Sequence, residues 1–145
     1  IEKEQVAYLY APTHLNRTSE YGVSFERGTM VDYGDRRQVF ISGTASIDNK
    51  GQIVYPKDIR RQTHRMWENV EALLAEADCT MEDVGMMVVY LRDTADYAVV
   101  SQLYAERFPG HPYVIVHAPV CRPGWLIEME CMAVRKTHHP QYNPF

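Results

Sequence analysis

The chain has 145 residues, 46% hydrophobic and 23% charged, with a formal charge of −4, the size and make-up of one ordinary globular domain. That balance leaves no basic footprint for nucleic acid, and no apolar run approaches the ~20 residues of a membrane span. Cys79, Cys121 and Cys131 have no metal-type spacing, so reduced thiols, a cytoplasmic location, and neither metal nor cofactor are expected.

The first residue is Ile1 rather than Met, as in a processed product or a piece of a longer protein. Residues 1–22 show no sustained period and read as an N-terminal extension. Val23-Ser24-Phe25-Glu26-Arg27 alternates, Gly28 interrupts, and Met30-Val31-Asp32-Tyr33 follows, predicting a first strand with a bend. Gln38 to Ala45 is nearly continuous in apolar content and predicts a central strand. Asp58 is placed to cap a helix on which Ile59, Thr63, Met66, Val70, Leu73, Leu74 and Ala77 share one face over about five turns.

Met86 to Leu91 predicts a buried strand. Asp93 or Thr94 opens a second helix with Tyr97, Val100, Tyr104 and Phe108 inward, and Pro109-Gly110 ends it. Strands from Tyr113 to about Ala118 and from Trp125 to about Val134 close the domain. The order β-β-α-β-α-β-β predicts an α+β sandwich, one sheet with two helices on one face. It spans 23–135, and 136–145 form a polar tail. Both faces of the strands are apolar, as Phe40, Val89, Tyr90, Trp125 and Ile127 show. The face away from the helices is therefore expected to be covered by another subunit or a missing domain.

In the last strand a period of two puts Leu126, Glu128, Glu130 and Met132 on one side. Apolar neighbours desolvate the two acids and raise a carboxyl pKa toward neutral pH, which suits proton transfer. Pairing with arginines across a subunit interface is the other reading of the same spacing. Cys121 has no His–Asp set to make it a nucleophile, and Arg92 ends a buried strand where a guanidinium can hold a carboxylate.

Ile41-Ser42-Gly43-Thr44-Ala45, Gln62 and Asn69 on the first helix, Tyr104 on the second, and Leu126-Ile127-Glu128-Met129-Glu130 together resemble the Rid family. This is the YjgF-like reactive-intermediate deaminases, also labelled endoribonuclease L-PSP. The resemblance implies a chorismate-mutase-like fold with one mixed sheet, and a homotrimer with clefts between subunits. It places the Ser-Gly strand, with Ser42, and Glu128 in the cleft. Deaminating members carry an Arg at the start of the fifth strand, where counting back from Glu128 finds Tyr113. Ser101 stands where the family has an Asn.

Ser42 to Ile47, Tyr90-Leu91-Arg92-Asp93, and Cys121-Arg122-Pro123 are similar to the Rid-like C-terminal part of chorismatases. That likeness implies hydrolysis of an enol ether with release of pyruvate, Glu128 being the catalytic acid. Cys121 becomes a wall of the pocket, Arg92 and Arg122 the clamps on a small carboxylate substrate. Enamine deamination and carboxylate binding without catalysis stand beside it. No nucleic-acid or membrane partner is expected.

Overall fold

Asp58 starts the longer helix as its spacing predicts: its carboxylate accepts the Arg61 N–H at 3.0 Å, satisfying one of the free amides of a first turn. In the computed structural model, which describes residues 1–145 apart from the side chain of Tyr21, this helix, α1, runs Ile59–Glu76. Met66, Val70, Leu73 and Leu74 are wholly buried on its inner face. The shorter helix, α2, is Tyr97–Arg107 and follows one 3-10 turn at Thr94–Asp96. Val100, Tyr104 and Phe108 point inward as predicted; Tyr97, the first residue of the helix, is instead exposed.

The strands are β1 (Val6–Leu9), β2 (Gly28–Asp32), β3 (Arg36–Ala45), β4 (Val84–Leu91), β5 (Tyr113–His117) and β6 (Ile127–Lys136). They form one mixed sheet in the order β1-β2-β3-β6-β4-β5, antiparallel except where β4 meets β5. This is the α+β architecture expected, with one strand more. β1 comes from the N-terminal extension and pairs with β2, Val6 opposite Val31. Val23 to Arg27, expected as the start of a bent strand, lies outside the sheet, and β2 begins only at Gly28.

The helix side of the sheet holds the core. Ile127, Met129, Cys131 and Ala133 of β6 face it, all buried, with the Trp67 ring edge-on to Tyr104 and Phe108 at 5.2 and 5.3 Å. The N-terminal extension adds Leu9, Ala11 and Leu15 to the same core. The 136–145 tail folds back on the β2–β3 turn: His139 N donates to Gly34 O and Gly34 N to Asn143 O. Among the described residues no helix is long and apolar enough to cross a membrane.

Candidate functional site

Glu128 lies in the middle of the sheet, opposite Ala45 of β3 on one side and Tyr90 of β4 on the other. Its side chain occupies the face away from the helices, since Ile127 and Met129 on either side are fully buried beneath them. A bulge makes room for it. The β3–β6 register shifts between Ile41 and Thr44, which frees Ser42 and Gly43 from regular pairing. Ser42 turns instead to the preceding segment: its N–H donates to Arg27 O at 3.0 Å and its Oγ to Glu26 O at 2.6 Å. At Gly43 any Cβ would overlap the Glu128 carboxylate.

The acid opens into a cleft of about 540 Å³. It is lined by Ser42, Gly43 and Glu128 of the sheet, by Cys121, Arg122 and Trp125 of the loop before β6, and by Val23, Phe25 and Arg27 of the segment before β2. Burial pushes the Glu128 carboxyl above the ordinary Glu value, Glu130 adds to the rise, and Arg27 opposes it. Desolvation likewise raises the Tyr90 phenol, and a hydrogen bond with Glu130 adds to it. Glu130 is thus Glu128's neighbour on the same face, opposite Val88.

Arg27 was not among the residues expected from sequence. Its guanidinium, in a residue only 4% exposed, donates from Nε and Nη2 to Asn16 O at 3.2 and 3.0 Å, and from Nη2 to Asn16 Oδ1 at 3.0 Å. It also stands 5.5 Å from the centre of the Phe25 ring. The sequence carried one usable signal, a cation ending an alternating run just before Gly28.

The endoribonuclease L-PSP family matches residues 29–135, which include the bulge, both helices and Glu128. The chain belongs to that family. A RutC family protein of Pyrococcus abyssi is 35% identical over 100 residues, 68% of this chain and 79% of that protein. Escherichia coli TdcF, solved with bound serine, is 25% identical with a TM-score of 0.69, covering 89% of this chain and 98% of that one. Yeast Mmf1 shares the fold at 20% identity, TM-score 0.75, over 90% of this chain and 99% of its own.

In this L-PSP protein the other expected residues divide. Ser42, Cys121 and Arg122 do line the Glu128 cleft. Cys121 and Arg122 are exposed, with the Arg122 guanidinium 5.9 Å from the Trp125 ring centre. Arg92 does not present its guanidinium as a clamp: Nε donates to Trp125 O at 2.9 Å, and Nη2 to Val120 O at 2.6 Å and Arg122 O at 2.8 Å. It holds the loop that carries Cys121 and Arg122. Tyr104 and Tyr113 are on the wrong side of the sheet for the cleft. Tyr113 is paired with buried Met87, so it faces the helices, and its ring packs 5.2 Å from that of Tyr104. Tyr104 is fully buried and donates its hydroxyl to Met129 Sδ at 3.4 Å.

Gln62 and Asn69, quoted above for the resemblance, support the site from below. Gln62 Nε2 donates to Tyr55 O and Gly124 O, both at 3.1 Å, while its Oε1 accepts Leu126 N–H at 3.0 Å. Asn69 Nδ2 donates to Ala45 O and Ile47 O at 2.9 and 3.0 Å, fixing the end of β3. Among the described residues no group of three or more His, Cys, Asp or Glu side chains could hold a metal ion.

Proposed function

We propose that this protein is a Rid-type hydrolase in which Glu128 protonates a pyruvate enol derivative bound in the cleft. The cleft is completed by a neighbouring copy of the chain in a homotrimer. A desolvated carboxyl, raised above its ordinary pKa in a cleft that Arg27 and Arg122 also line, carries this reading. An enolpyruvyl ether is cleaved when its methylene carbon takes a proton, water adds to the adjacent carbon, and the resulting hemiketal expels the alcohol to leave pyruvate. The acid form of Glu128 supplies the first proton, and its carboxylate then accepts one from the attacking water.

Enamine hydrolysis follows the same course with ammonia leaving, so one acid serves both. Chorismatase-like ether cleavage remains the first choice because Tyr113, at the place of the deaminases' Arg, packs on the opposite face of the sheet. Serine bound to TdcF is itself a small carboxylate, which agrees with a carboxylate ligand here. The formal charge of −4 argues against the ribonuclease activity of the family label.

The test is Glu128→Gln, which preserves shape but exchanges no proton. Pyruvate release from chorismate, followed by a coupled assay, is expected to fall roughly 10²–10⁴-fold while ligand binding changes little. Wild type that releases no pyruvate from chorismate or 2-aminoacrylate, yet binds pyruvate, refutes the enzyme and leaves a carboxylate binder.

A further inference from the structure

The two arginines that line the cleft are held differently. Arg122 is exposed on a loop, where water screens a charge and the long side chain is costly to immobilise. Arg27 is almost wholly buried, and three hydrogen bonds that it donates to Asn16 oxygens fix its plane. A guanidinium held rigid in a low-dielectric wall is prepaid for binding an anion: ordering costs little, and the attraction is weakly screened.

Asn16 is itself held. It is 6% exposed, and Gly51, at φ 73°, approaches so closely that an added Cβ there would stand 2.6 Å from Asn16 Nδ2. Glu76 at the end of α1 accepts the backbone N–H groups of Tyr10 and Ala11 at 2.8 Å each. Leu15 is packed in the core. The N-terminal segment is therefore bolted to the domain over the residues just before Asn16, and Asn16 transmits that rigidity to Arg27.

We infer that Arg27 is the carboxylate-binding group of the Glu128 cleft, and that Asn16, from the N-terminal segment, is its positioning residue. This rests on the reading of the cleft as a site for a small carboxylate. It makes residues 10–27 part of the site rather than an appendage. Arg27 also sets the ligand's direction: the carboxylate lies against Arg27, and the rest of the molecule reaches toward Glu128 and the Cys121 side. With Glu128 in its acid form, the ligand supplies the negative charge that Glu128 then lacks.

Pyruvate and its uncharged ester, methyl pyruvate, are the probes, titrated by calorimetry. Wild type is expected to bind pyruvate at least about tenfold more tightly than the ester, the weight of one charge-assisted contact. Arg27→Met should bring that ratio close to one, Asn16→Ala should lower it part of the way, and Arg122→Met should leave most of it. A wild-type ratio near one overturns the proposal, as does an Arg27→Met protein that keeps the wild-type ratio or weakens both probes equally. Should the Arg27 variant fail to fold, the Arg27 Nε–H resonance of wild type still decides: pyruvate must shift it more than the ester does. Glu128→Gln should keep the ratio, so a protein that discriminates the probes but hydrolyses nothing loses only the enzyme reading.

Discussion

Gly43 and Glu128 form one unit, because the acid can lie against β3 only where the facing residue has no side chain. The bulge supplies that residue, and the cost is a carboxyl stripped of part of its water. Its pKa is raised chiefly by burial, so the native state holds this proton more tightly than the unfolded chain does. Stability from Glu128 is then greatest at low pH. It falls as pH climbs from the ordinary Glu range through the raised native value. Glu128→Gln removes that slope: its Tm should exceed that of wild type above this window and converge with it below. If Glu128 is the acid, the hydrolysis rate should fall over the same window, since only the protonated form donates. Parallel Tm–pH curves for the two proteins would show that the carboxyl is not desolvated. Burial acts on a thiol in the same way: Cys131 is pushed up to about 12, with Glu130 adding to the effect. That leaves Cys131 protonated and without a nucleophile's role.

The loop from 120 to 126 shows how an irregular element is held in place. Arg92 binds three of its carbonyls, Trp125 N–H closes on Arg122 O at 3.0 Å, and Gln62 reaches it from α1 at both Gly124 and Leu126. Gln62→Leu keeps the volume but strands the Gly124 carbonyl and the Leu126 amide. It should cost about 1–3 kcal/mol in chemical denaturation, the penalty of buried polar groups left unpaired. Because the loop lines the cleft without holding the carboxylate, the pyruvate-to-ester binding ratio should stay close to that of wild type. Unchanged stability would mean the loop is held by Arg92 alone.

Both helices and the buried strands were legible in the sequence because their apolar periods repeat over whole elements. β1 was not: four residues at a sheet edge, with one exposed face, give too short a period to stand out. Tyr113 was found by counting along the chain, but its side of the sheet is set by pairing with Met87, which no count across a loop reveals. Arg27 and Asn16 are eleven residues apart and meet only through the tertiary fold, so neither position announced its role.

On the scale of the whole molecule, the face of the sheet that carries Glu128 is also its least covered. Phe40, Met86, Val114 and Val134 are 43, 44, 49 and 41% exposed, and Phe40 sits directly opposite Met132 in the β3–β6 ladder. Apolar groups clustered on an exposed sheet face mark a surface that another molecule covers. The proposed homotrimer does so while bringing a second chain to the rim of each cleft. Light scattering at micromolar concentration should then give about three times the 16.8 kDa chain mass. Phe40→Lys tests the face itself. Its side chain points away from the core, so the isolated fold should keep its circular dichroism. An ammonium buried between subunits without a partner would cost several kcal/mol per copy, enough to release monomers. Hydrolysis should be lost with assembly if the neighbouring chain completes the cleft, although Glu128 and Arg27 remain in place. A wild-type monomer would sink the trimer outright, whereas a Phe40→Lys trimer of wild-type mass would move the interface elsewhere on the molecule.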